Sequence, residues 1–205
     1  MKRMELSMLD IKTSLQNNDG INYKCGAHAL EAVLRFYGFE KTIDEIWNSV
    51  SSDRRNGEKY TLTKDLSIYA NTLELMSTIY KSKDICSTLD ILDELNCPAI
   101  VCMAHRKPGN IVGHFVVFKG KSNGKYFFAD PEKNSTRVLS PYQLIDFCKN
   151  TGPEVTGNII IAFDEVAKEK VCKQCSTKYP LVAYQELKDS VMYSICPHCD
   201  RENIR

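Results

Sequence analysis

The chain has 205 residues, 43% hydrophobic and 26% charged, with a formal net charge of +1. This length fits one medium domain with a small appendage, and the near-neutral charge argues against nucleic acid or an anionic membrane as a general partner. No stretch approaches the ~18 apolar residues of a membrane span, and Glu5, Asp10 and Lys12 interrupt the N-terminus, so no secretory signal is expected either. Nine cysteines, an odd number, favour reduced thiols, a reactive cysteine and a metal site over a disulfide framework, with the cytoplasm as default compartment.

In chain order, residues 1–19 read as a weakly structured lead-in or a short helix, closed by the polar turn Asn17, Asn18, Asp19, Gly20. From Gly26, the apolar residues Ala29, Leu30, Val33, Leu34 and Tyr37 recur at helical spacing, and Gly38 is the expected stop. Thr42 opens a second helix, with Glu45 three positions on completing a capping box. A third helix is expected from about Thr63 to Leu75, and a fourth from Ser87 with Leu89, Leu92 and Leu95 on one face. The period then changes. CPAIVCMA from Cys97 reads as a buried strand, and HFVVFKG and KYFFAD as two strands joined by a hairpin turn through Asn123-Gly124. Ser140-Pro141 has the cap-then-proline form of a helix start, and NIIIAF from Asn158 reads as a last strand. Helices first and strands later predict an α+β fold, its mainly antiparallel sheet packed against the helix that follows Cys25.

Cys25 stands directly ahead of Gly26 and the first helix, so unpaired helix N–H groups face its sulfur. His114 heads an apolar strand and Asp130 ends the next, and a hairpin sets the start of one beside the end of the other. A thiol becomes a good nucleophile when its pKa falls, and a helix start and an imidazolium both lower it. Cys25 is the expected nucleophile, His114 the base and then acid, and Asp130 the group that orients the imidazole. Cys86, Cys97, Cys102 and Cys148 stand in apolar patterns and are assigned to the core. His28, one helical turn from Cys25, reads as a packing residue, and His105 as an exposed loop residue ahead of KPGNIVG.

The segments CGAHALEAVLRFYG, PAIVCMA, GHFVVFKG and FFADP, in that order over roughly residues 15–163, resemble the papain-like cysteine peptidases that cut bacteriocin and peptide leaders after a double glycine. The resemblance implies a papain-like cysteine peptidase fold and peptide-bond hydrolysis through a thioester. It also implies an oxyanion donor, commonly a glutamine about six residues before the cysteine. Asp19 holds that position here and cannot donate when ionised. Gln16, nine residues ahead, is therefore taken as the donor, with Asn17 or Asn18 as alternatives. Losing such a donor costs on the order of a hundredfold in rate. Peptidases of this kind are commonly fused to a transporter, but this chain carries neither membrane spans nor a Walker-type phosphate loop. The expected substrate is a peptide or small protein with a flexible, Gly-rich segment. The alternative is a catalytically silent papain-like module that grips a partner.

After Phe163 the character shifts, and a boundary is expected near residue 168, giving a peptidase domain over 1–167 and a zinc ribbon over 168–205. Cys172 and Cys175, then Cys196 and Cys199, form two CxxC knuckles separated by twenty residues. Two knuckles complete a tetrahedron around a structural Zn2+, a better fit at this spacing than a redox dithiol. Recognition is the expected use of such a unit, a rigid β-ribbon with Tyr179, Tyr184 and Tyr193 available to contact substrate, a protein partner or nucleic acid.

Overall fold

The computed structural model describes residues 8–15, 23–53, 57–107, 110–133, 135–152, 155–200 and 202–203. The elements are α1 (Cys25–Phe36), α2 (Ile43–Val50), β1 (Ser51–Asp53), β2 (Lys59–Thr61), α3 (Thr63–Thr72), β3 (Met76–Ser82) and α4 (Ile85–Glu94). They continue with β4 (Ala99–Lys107), β5 (Asn110–Ser122), β6 (Lys125–Asp130), β7 (Ser135–Leu139), α5 (Pro141–Phe147) and β8 (Ile159–Asp164). The C-terminal part holds β9 (Lys168–Val171), β10 (Lys178–Leu181), α6 (Tyr184–Leu187), β11 (Val191–Ile195) and β12 (Glu202–Asn203).

An eight-stranded antiparallel sheet, ordered β12-β11-β3-β8-β4-β5-β6-β7, forms the frame. Alternate side chains of its strands feed two cores. Ile79, Ile100, Val117, Ile161 and Phe163 pack with Leu30, Leu34, Ile46 and Leu66 of the first three helices. Tyr80, Val101, Val116, Phe118 and Ile160 pack with Leu89, Leu92, Leu144 and Leu187 of the other three. The α+β arrangement with N-terminal helices on an antiparallel sheet is as the sequence predicts.

Local signals explain the element ends. Thr42 and Glu45 make both halves of the capping box of α2, and Ser140 with Gln143 does the same for α5. Gly38, at φ +81°, ends α1 in a Schellman motif, with Phe39 N–H donating to Leu34 O at 2.9 Å and Gly38 N–H to Arg35 O at 3.1 Å. Asn123 and Gly124, at φ +49° and +71°, form the two-residue type I′ turn between β5 and β6.

Other expectations are corrected. Residues 8–15 form no helix; Leu9 N–H donates to Lys119 O at 2.8 Å and Ile11 is buried, so this stretch is strapped to the sheet. The fourth helix starts earlier than Ser87, because Asp84 caps it by accepting from Cys86 N–H at 3.0 Å, and Leu95 is left exposed. Strand β3 lies between the third and fourth helices, in a stretch to which the sequence pattern assigns no element, and NIIIAF is not the last strand. Beyond residue 168, β11 adds to the edge of β3 and Val182, Leu187 and Val191 enter the second core.

Candidate functional site

α1 begins at Cys25 with Lys24 before it, no side-chain cap and no acidic residue in its first turn. Its N-terminal N–H groups are thus left to the sulfur. Gly26 is small for a packing reason. A Cβ there would lie 2.8 Å from Thr61 Cβ and 3.1 Å from the Phe115 ring, so the glycine lets the helix start sit against β2 and β5.

His114 lies well inside β5, which begins at Asn110, not at the strand head that the sequence suggested. Val117 pairs with Ala129, so Asp130 comes one pair further along, on the same face as His114. His114 Nε2 meets Asp130 Oδ1 at 2.7 Å. With Nε2 engaged, Nδ1 is the ring nitrogen left for the Cys25 thiol, to which His114 is hydrogen-bonded.

All three groups are buried, Cys25 and His114 at 6% exposure and Asp130 at 0%. Burial alone would raise the Cys25 pKa. The hydrogen bond and charge of His114, with the backbone of Phe115 and Gly26, outweigh it and hold the thiol below its ordinary value. Burial likewise works against the imidazolium, yet the hydrogen bonds and charges of Asp130 and Cys25 push His114 up to about 9. Asp130 is held at about 2; burial opposes this, but His114, Arg137 and the Glu132 N–H prevail. His114 thus lowers the thiol while Cys25 and Asp130 raise the imidazole, which shifts the pair towards thiolate and imidazolium.

Two residues of this cluster were not legible as such in the sequence. Arg137 on β7 grips Asp130 Oδ2 through Nε at 2.8 Å and Nη2 at 2.6 Å, leaving Oδ1 for His114 and the Glu132 N–H. His105, expected in an exposed loop, lies half-buried on β4, its ring centroid 5.6 Å from that of His114 and its Nε2 3.4 Å from Glu132 Oε1. The reason is that β4 and β5 continue to Lys107 and Asn110, beyond the apolar run. His28 is buried with Nδ1 2.7 Å from Ser14 Oγ, as a packing residue would be. Gln16, Asn17, Asn18 and Asp19 lie outside the described residues. Cys97, Cys102 and Cys148 are buried and Cys86 half-buried.

A groove of about 700 Å3 opens beside Cys25, lined among others by Tyr60, Thr61, Cys102, Gly113 and Phe115.

At the C-terminal end, Cys172, Cys175, Cys196 and Cys199 bring four sulfurs within 4.8 Å of one another. Cys172 Sγ lies 3.6 Å from Cys199 Sγ and Cys175 Sγ 3.7 Å from Cys196 Sγ. A tetrahedron of thiolates at about 2.3 Å from a metal has edges of about 3.8 Å, so the set fits an ion such as zinc. Each knuckle turns through a left-handed residue directly after its second cysteine, Ser176 at φ +61° and Asp200 at φ +56°. The tyrosines offered as contacts are only partly available. Tyr179 is buried, its hydroxyl 2.9 Å from Ser194 Oγ, while Tyr184 and Tyr193 are half-buried.

Comparison with known proteins agrees with this geometry. The peptidase domain of Streptococcus ComA, a bifunctional ABC transporter of a quorum-sensing pathway, is similar over 83% of this chain and 99% of its own, at 17% identity and a TM-score of 0.54. A double-glycine-motif protease from an AMS/PCAT transporter, solved with its leader peptide, covers 78% of this chain and 95% of its own, at 18% identity and TM-score 0.54. A C39-like peptidase from Bacillus anthracis covers 79% of this chain and all of its own, at 13% identity and TM-score 0.58. These similarities establish a shared fold. No curated protein sequence matches the chain. The profile of the peptidase C39 family matches residues 11–144, and the chain therefore belongs to that family of cysteine peptidases.

Proposed function

We propose that the chain hydrolyses a peptide bond by a Cys-His-Asp thioester mechanism, in a peptide or small protein cut after a flexible, Gly-rich segment. The observation that carries this reading is the buried relay itself: a thiol of lowered pKa, an imidazole bonded to it, and a carboxylate 2.7 Å from the far ring nitrogen. In the first step the Cys25 thiolate attacks the scissile carbonyl carbon, and the oxygen takes negative charge. Gln16 and the unpaired N–H groups at the start of α1 are the proposed donors to that oxyanion. Collapse breaks the C–N bond, and the His114 imidazolium gives its proton to the leaving amine. His114, now neutral, takes a proton from water, whose oxygen attacks the thioester; the acid product leaves and the thiol is restored. Asp130 keeps the imidazole in one tautomer throughout. The Gly-rich preference draws support from the fold shared with a double-glycine-motif protease.

We further propose that residues 1–167 form the peptidase unit and 168–205 a ribbon in which Cys172, Cys175, Cys196 and Cys199 hold a structural Zn2+. Such an ion would fix the two knuckles and take no part in the chemistry, since four thiolates leave it no open position. A reducing compartment such as the cytoplasm suits nine cysteines, none of which is joined in a disulfide. Among the described residues no helix is long and apolar enough to cross a membrane.

The test is thiol reactivity together with cleavage. Iodoacetamide at pH 6 is expected to alkylate Cys25 far faster than Cys97, whose thiol burial pushes up to about 12. Cys25→Ala should abolish cleavage of glycine-centred peptides while keeping the fold by circular dichroism. Full cleavage by that variant removes the assignment; equally slow labelling of all thiols favours a silent binding module instead.

A further inference from the structure

The groove that starts at Cys25 does not end within the peptidase core. Its lining includes Ile195 and Asp200, which bracket the second knuckle: Ile195 precedes Cys196, and Asp200 follows Cys199. Apolar residues of five strands lie between them, in a row that steps two residues along β8. Phe115 of β5 pairs with Cys102 of β4, and the next position of the β4–β8 ladder sets Cys102 beside Ile159. Two residues along β8 on the same face, Ile161 pairs with Ile79 of β3, and Ile79 pairs with Ile195 of β11. Phe115, Cys102, Ile159, Ile79 and Ile195 all line the groove. Ile195 is only half-buried, whereas Ile79 is 2% exposed, so the outermost member of the row still has surface to cover. Thr61, in the groove wall and itself 6% exposed, keeps its hydroxyl oxygen without a hydrogen-bond partner among the described residues.

On these grounds we infer that the four-cysteine knuckle is part of the substrate site: Ile195 forms its outer specificity subsite, which takes an aliphatic side chain of an extended substrate. The occupant is a peptide because the same groove leads without interruption to the sulfur that would attack it, and to this extent the inference rests on the peptidase reading above. The reach follows from sheet geometry. Four inter-strand steps of about 4.8 Å separate Phe115 from Ile195, roughly 19 Å, and an extended chain advances about 3.4 Å per residue. The contacted side chain thus lies about six residues from the scissile bond. Asp200 N–H donates to Cys196 O at 2.9 Å, so the turn that carries this wall is closed within the knuckle itself.

The experiment uses the full chain and a mass-encoded pool of sixteen-residue peptides, roughly that length to span the groove on either side of a fixed central Gly-Gly. Cleavage is read with active protein, and binding to the Cys25→Ala protein by fluorescence anisotropy. Wild type should prefer Ile, Leu or Val about six residues from the cut. Ile195→Ala should lower kcat/KM for those peptides about tenfold, the effect expected for uncovering a few methylenes, and leave six-residue peptides and the Cys25 alkylation rate unchanged. Ile195→Val should restore most of the loss, and Ile195→Asp should shift the preference to Lys or Arg. If nothing is cleaved but binding to the Cys25→Ala protein still depends on residue 195, the subsite stands and the peptidase reading falls. Identical profiles for wild type, Ile195→Ala and Ile195→Asp, or no binding at all, overturn the inference.

Discussion

Asp130 accepts hydrogen bonds from His114, Arg137 and the Glu132 N–H while wholly buried, which is why it can stay ionised there. Its carboxyl, lowered to about 2, contributes stability that is present above its unfolded pKa near 4 and lost as pH falls towards 2. His114 has the opposite sign. Raised to about 9, it contributes stability fully present below about 6.5 and lost as pH rises through 9. The two contributions coincide between about pH 4 and 6.5, where the urea midpoint should be highest. In Asp130→Asn the pH dependence should flatten on both flanks, and the alkaline limb of kcat/KM should move down by a unit or more as His114 loses its raising partner. An unaltered alkaline limb would show that Asp130 does not act on the imidazole.

At the scale of elements, the start of α1 decides the chemistry. Thr61 Cβ and the Phe115 ring close on Gly26 so tightly that one added methyl must move the helix start, and the thiol with it. Gly26→Ala is expected to lower kcat/KM and the pH 6 alkylation rate at least about tenfold, with the fold retained, because misplacing the nucleophile by a fraction of an ångström costs more than the packing does. An alanine variant of normal rate would refute this role. Element ends were legible where a side chain or a positive φ does the work locally: the Thr42–Glu45 and Ser140–Gln143 boxes, Gly38, and Asn123-Gly124. Strand β3 was not. Its polar Ser77 and Thr78 are buried because Ser67 and Asn71 of the preceding helix satisfy the first, and Pro180 and Val182, more than 100 residues away, the second, so MSTIYKS shows no clean alternation. Arg137 was hidden for a related reason: β7 is an edge strand with a largely exposed pattern, and only its pairing with β6 brings the guanidinium to Asp130.

In the whole molecule, the C-terminal segment closes the sheet. β11 covers what would be the open edge of β3, while Thr78 and Tyr80 of β3 bond to Pro180 and Val182 across more than 100 residues of chain. Loss of the metal should therefore be felt outside the knuckles. Freshly purified protein is expected to hold about one zinc per chain, lost in Cys196→Ser. Stripping it with a chelator should lower Tm by about 5 °C or more and speed amide exchange along β3 as well as in residues 168–200. Metal-free protein as isolated, or β3 exchange unmoved by chelation, would separate the ribbon from the stability of the sheet.

The sequence by itself determined the α+β class and singled out Cys25, His114, Asp130 and the four cysteines of the tail as candidates, because caps, hairpin turns and CxxC spacings act over a few residues. Tertiary structure alone decided what surrounds them. Arg137 and His105 reach the relay, and Ile195 reaches the groove, only through strand pairings between residues far apart in the chain. Such contacts leave no local mark, since long-range register is set by the packing of the whole sheet and not by any one segment.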